Sequence, residues 1–158
     1  MLTATHRKVR KFVTPKPNAV LKAHGGKFYL ARRIIDLFPD EPFDTLCEPC
    51  CYGASVSLNT NPLMYRNMVL CDVNPYVIGL LDCLRDPYEF KRFHEIVSAL
   101  QYTEETFQHW RDMKPKTCMD ERVQFFLTNR MSRGGLGRDF AWSDRLRGGK
   151  PGDVNGWE

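Results

Sequence analysis

An α/β fold built on parallel strands is what this sequence predicts, and three observations carry the prediction. Two short apolar runs end in a carboxylate, Glu48 in FDTLCEP (43–49) and Asp72 in NMVLCDV (67–73). Each run is followed by a turn and then by a helical pattern, and acids at the carboxyl ends of neighbouring strands mark the crevice where open α/β sheets bind nucleosides. The second acid stands roughly 20 residues after the first, the spacing at which it accepts hydrogen bonds from ribose hydroxyls. Finally, Asn74 and Pro75 form an N-cap and first-turn pair directly after the second strand.

The elements follow in order. After a basic arm ending in PKPN (15–18), Leu30, Ile34, Leu37 and Phe38 recur at helical spacing, so a helix is expected to start near Lys27 behind Gly25 and Gly26. Pro39 to Pro42 stop it, and residues 43–47 read as a short buried strand ending at Glu48. The segment 49–54 is a turn, 55–59 a short helix and 67–72 the next strand. The following helix shows Val77, Leu80, Leu81 and Leu84 on one face. Further helices are expected at 88–100, 104–113 and 121–130, the last capped by Asp120. Beyond Arg130, a Gly-, Arg- and aromatic-rich stretch has no periodicity that builds a regular element. A doubly wound sheet needs more than two strands, so the chain reads as the N-terminal part of something longer. An unfinished sheet would leave an unpaired edge, with low stability or a partner as the expected consequence.

With 158 residues, 42% of them apolar, the chain has the length of one domain. Six cysteines without a preceding signal peptide fit reduced thiols in a cytoplasmic protein better than a disulfide set. No apolar stretch has the length of a bilayer crossing, so no membrane partner is expected. The net charge of +4 is unevenly spread. Arg7, Lys8, Arg10, Lys11, Lys16 and Lys22 face no acid in residues 1–22, and Arg130, Arg133, Arg138, Arg145, Arg147 and Lys150 crowd 130–150. Such clusters either neutralise phosphates, giving salt-dependent binding, or remain solvated arms.

Three segments read together narrow the reading. KAHGGK at 22–27, EPCCYGASV at 48–56 and DVNP at 72–75, joined by FFLTNRMSRGGLGR at 125–138, resemble in order and spacing the Dam-like (alpha group) adenine-specific DNA methyltransferases. The resemblance covers about residues 20 to 140. It implies a Rossmann-like S-adenosylmethionine-dependent methyltransferase domain, incomplete at the C-terminus, with a helical DNA-recognition segment. The divisions it implies are a basic arm (1–20), a cofactor-binding part (21–100) and a truncated DNA-recognition segment (101–158).

The implied activity is site-specific methyl transfer from S-adenosylmethionine to the exocyclic amine of an adenine in double-stranded DNA, rotated out of the duplex to be reached. Ala23 and Lys27 are implied to contact the methyl donor, Glu48 and the turn through Gly53 to lie along its methionine part, and Asp72 to hold its ribose. Asn129, Arg130, Arg133 and Arg138 are the implied DNA contacts. Lys27 also fits an ordinary first-turn surface lysine, and Gly53 a residue serving only the turn.

Two departures stand out. The family's catalytic motif, Asp or Asn followed by two prolines and an aromatic residue, does not occur in the 158 residues, and Asp86-Pro87-Tyr88 reads as a helix break. No catalytic residue is therefore nominated, and a missing C-terminal portion or a complementing subunit is the expected remedy. Tyr52 stands where the family has glycine, Cys50 replaces an aromatic residue and Ala23 another, so Tyr52 is expected either to crowd the cofactor or to turn outward.

Other functions fit less well. A non-catalytic DNA-binding remnant keeps the basic segments but transfers nothing. A nicotinamide-dependent oxidoreductase lacks its GxGxxG. Cys47, Cys50 and Cys51 have no second ligand pair for zinc, so packing is favoured and no metal is expected. Phe125, Phe126 and Leu127 read as core, whereas Phe140 and Trp142, among arginines, suit nucleic-acid contact.

Overall fold

The computed structural model describes residues 9–13, 19–142, 146, 147, 150 and 151. The chain forms two compact units, one of residues up to Val20 with Gly26–Val73, the other of Leu21–Gly25 with the chain from Asn74 onward.

In the first unit, strand β1 (Phe43–Glu48) lies parallel to β2 (Tyr65–Leu70), with Phe43 opposite Tyr65 and Glu48 opposite Leu70. The second strand starts and ends two residues earlier than the apolar run suggested, because the 3₁₀ turn Pro62–Met64, capped by Asn61, feeds directly into it. The expected helix from Lys27 divides into a 3₁₀ turn (Lys27–Tyr29) and helix α1 (Ala31–Asp36). The segment expected to be helical at 55–59 is a 3₁₀ turn at Ser57–Asn59. Ala31, Ile35 and Val56 form the small core, with Phe12, Ile34 and Phe38 packed on it. Removing such side chains from water stabilises by about 1.5–3 kcal/mol for each large one.

Part of the basic arm belongs to this unit. Phe12 bridges Thr60, and the main chain of Lys11 and Val13 bonds to Asn61 and Asn59. The Lys11 ammonium donates to the carbonyls of Asp36 and Phe38 and pairs with Asp40 at 2.9 Å, so it is a structural tie rather than a phosphate-binding charge. Arg7, Lys8, Lys16 and Arg145 lie outside the described residues.

The second unit is helical: α2 (Pro75–Arg85), α3 (Pro87–Ser98), α4 (Glu104–Asp112) and α5 (Cys118–Met131). Helix α5 packs against each of the other three. Its buried residues Met119, Val123, Leu127 and Met131 meet a core that includes Val77, Leu80, Cys83, Phe93 and Phe107. On α2 the buried face runs through Val77, Leu80 and Cys83, while Leu81 and Leu84 are only half-buried. Asn74 and Asp86 cap α2 and α3 through their side chains, each followed by proline. The start of α5 differs from expectation: Thr117 is the N-cap, and Asp120, three residues later, reaches back to the Thr117 N–H in a capping box. The Gly- and Arg-rich stretch, expected to lack regular elements, contains a two-stranded antiparallel ladder of β3 (Leu146–Arg147) and β4 (Lys150–Pro151).

Among the described residues the chain is therefore a mixed fold with one two-stranded parallel sheet beside a helical unit. No helix among them is long and apolar enough to cross a membrane.

Candidate cofactor site and nucleic-acid interface

The carboxyl ends of β1 and β2 are joined beyond the strands themselves. The Cys71 N–H donates to the Glu48 carbonyl at 3.1 Å, and the Cys51 N–H donates to the Cys71 carbonyl at 2.9 Å. Between these ties the chain makes a tight turn with three left-handed residues at alternate positions, Cys50 (φ 52°), Tyr52 (φ 45°) and Ala54 (φ 48°). Side chains with a Cβ occupy this region at a cost of about 1–2 kcal/mol per residue.

Two carboxylates hold the turn. Asp72, half-buried, accepts the Tyr52 N–H through Oδ2 at 2.9 Å. Glu48, 4% exposed, accepts the Ser57 N–H at 2.8 Å through Oε2 and the Val56 N–H at 3.4 Å through Oε1. The Lys27 ammonium is 3.7 Å from Glu48 Oε1 and donates to the Cys50 carbonyl at 2.6 Å. Lys27, partly exposed, is thus the counter-charge of a buried acid. Gly53 is buried within the turn.

Lys27, Glu48, Gly53 and Asp72 thus come together in the first unit, whereas Ala23 is an exposed residue of the second. Next to Asp72 in the chain, Val73 is an apolar side chain 98% exposed, which the sequence reading passed over. Its signal was an aliphatic residue between a strand-ending acid and a helix cap. Deep in the turn, burial and then the charge of Asp72 push the Cys51 thiol up, so it stays neutral. Among the described residues no cluster of His, Cys, Asp and Glu could hold a metal.

The four residues expected at DNA fall into two kinds of environment. Arg133 and Arg138 are exposed on the loop after α5. Arg130 is half-buried, its guanidinium pushed down by desolvation. Asn129 is 3% exposed, and its amide is engaged with Lys22 and Gly135. Direct contact with DNA is therefore open to the two outer arginines, while Asn129 faces inward. Of the aromatic residues, Phe140 packs against Tyr102 and Phe107 at ring distances of 5.3 and 5.9 Å, which makes it core rather than a free platform. Trp142 stacks on Phe140 and is 53% exposed. Of the three residues read as core, Leu127 is fully buried, whereas Phe125 and Phe126 are half-buried, packed on Tyr76 and Phe93. The Asp86 carboxylate is consumed in capping α3, so the Asp-Pro-Tyr sequence is a helix start.

No curated protein matches the chain. A family model described as D12 class N6 adenine-specific DNA methyltransferase matches residues 24–136, a span that begins before Lys27 and ends inside the arginine loop. With well over half of its length matched, this chain belongs to the D12 class of N6 adenine-specific DNA methyltransferases.

Proposed function

We propose that the turn between β1 and β2 is an S-adenosylmethionine site and that the chain serves the site-specific methylation of adenine in double-stranded DNA. One observation carries the reading: Asp72, the acid two residues beyond β2, is tied at 2.9 Å to a turn with left-handed residues at alternate positions at the end of the neighbouring parallel strand. A carboxylate so placed accepts both hydroxyls of a ribose.

The residues present suit the group. Asp72 would hold the ribose, and Val73 offers apolar surface next to it. Gly53 brings no side chain into the turn. Lys27 would supply positive charge toward the methionine carboxylate, and Glu48 fixes both Lys27 and the far end of the turn. Ala23 joins this set through the family pattern alone. When bound, S-adenosylmethionine supplies an electrophilic methyl group on a sulfonium; the chain's own residues bind and orient it. Arg133 and Arg138 would neutralise phosphates of the duplex.

A second reading is a non-catalytic DNA-binding remnant or accessory subunit of such an enzyme, which the exposed Arg133 and Arg138 suit equally. Calorimetric titration with S-adenosylmethionine tests the site. Asp72→Ala is expected to weaken binding about 100-fold or more, the loss of two hydrogen bonds to a charged acceptor. Equal affinity of the two proteins would remove Asp72 from the site. Transfer of labelled methyl to duplex DNA then separates the two readings.

A further inference from the structure

The loop carrying Arg133 and Arg138 is seated on the main chain of a distant segment, residues 21–25, within the same unit. Asn129 makes the connection. Its Oδ1 accepts the Lys22 N–H at 2.8 Å, and its Nδ2 donates to the Lys22 carbonyl at 2.9 Å and to the Gly135 carbonyl at 3.1 Å. One amide side chain thus satisfies both polar groups of residue 22, as a strand partner would, and ties them to the loop.

Two left-handed glycines then bring the loop into contact with that segment. Gly134 has φ +63° and Gly135 φ +76°. A Cβ on Gly135 would stand 2.3 Å from the Lys22 carbonyl oxygen, and one on Gly134 would stand 2.4 Å from His24 Nε2. Gly137 has a similar φ of +70°, yet a Cβ there meets nothing nearer than Thr128 Cβ at 4.0 Å. The loop is closed on itself by the fully buried Ser132, whose Oγ donates to the Asn129 carbonyl and accepts the Gly137 N–H, and by the Arg133 N–H donating to the Asp139 carbonyl.

We propose that Asn129, Gly134 and Gly135 are positioning residues for DNA binding: they seat the Arg133–Arg138 loop on a template made by the Lys22 main chain and the His24 ring. Asn129 acts through the loop and does not touch DNA. The inference rests on the reading of Arg133 and Arg138 as DNA-facing.

The test is fluorescence anisotropy of a labelled mixed-sequence duplex with the full chain over a series of salt concentrations, with folding of each variant checked by circular dichroism. Gly135→Ala and Asn129→Ala remove no charge, yet each is expected to weaken binding about tenfold and to flatten its salt dependence. Gly137→Ala carries the same backbone strain without the close approach and is expected to bind as the native chain does. Gly134→Ala is expected to weaken binding, and His24→Ala added to it to restore most of the loss by vacating the space.

Native affinity in folded Asn129→Ala, or equal losses in Gly137→Ala and Gly135→Ala, would overturn the positioning role. Should Asn129→Ala fail to fold, the Gly134→Ala and His24→Ala pair decides: restoration supports the proposal, and its absence overturns it. If native affinity survives in a combined Arg133→Ala and Arg138→Ala variant while Gly135→Ala still weakens binding, the DNA-facing reading of the arginines fails and this inference with it.

Discussion

At the scale of single residues, the turn at 50–54 shows how a site is assembled from side chains with opposite fates. Cys50 is exposed and left-handed, and its carbonyl accepts Lys27. Its neighbour Cys51 is 2% exposed, with a thiol pushed up by burial and by Asp72. Cys83, 1% exposed on α2, is pushed up first by burial as well. Only thiolates are alkylated readily. At neutral pH, iodoacetamide is therefore expected to modify Cys47, Cys50, Cys71 and Cys118, which are exposed, well before Cys51 and Cys83. Peptide mass spectrometry reads the order, and modification of Cys51 as fast as Cys50 would contradict the burial of the turn. None of the six cysteines is paired in a disulfide. What the sequence did not disclose is the conformation of Tyr52. A tyrosine in a glycine position suggested that it would crowd the cofactor or turn outward; the backbone takes the left-handed form with Tyr52 itself and binds its N–H to Asp72. The strain is offset by long-range hydrogen bonds, which no local pattern reveals.

Helix caps were the most legible elements and also the clearest source of error. Asn74-Pro75 and Asp86-Pro87 fix two helix starts because the cap oxygen and the proline ring each act locally. At α5 the acid at Asp120 drew the start three residues too late, since an aspartate serves equally as N-cap or as the third residue of a capping box. Thr117→Ala is expected to destabilise the second unit by about 1 kcal/mol in chemical denaturation; an unchanged midpoint would contradict the cap. Asp120 adds a pH dependence of known sign. Its carboxyl is held below the usual range, first by the Lys116 N–H and further by Thr117. The stabilisation it gives is present above the unfolded carboxyl's pKa and is lost as pH falls through the lower folded value. Asp120→Asn should therefore narrow the difference in stability between neutral and acidic solution. The strand β2 was displaced by two residues in reading, because the exposed Arg66 and Asn67 give it no alternation of polar and apolar residues to follow.

For the molecule as a whole, family membership was legible because four collinear segments keep their order and spacing, and the matched span 24–136 runs through all of them, to within two or three residues of either end. The division into two units was less so. Residues 21–25 join the helical unit through the Asn129 amide, a contact 107 residues apart in sequence that periodicity does not register. The overall charge of +4 likewise overstates the cations available to DNA, since Lys11 and Lys27 are committed within the first unit. Among the described residues, Arg133 and Arg138 are exposed on the loop after α5, and the turn at 50–54 is held by Asp72. The central claim is that the turn holds the methyl donor, and amide chemical-shift mapping during titration with S-adenosylmethionine tests it most directly. The amides of Cys50 to Ala54, Asp72 and Val73 are expected to move together and saturate at one affinity, and in Asp72→Ala to move only at ligand concentrations about 100-fold higher or more. Shifts confined to other residues, or none at saturating ligand, would contradict it.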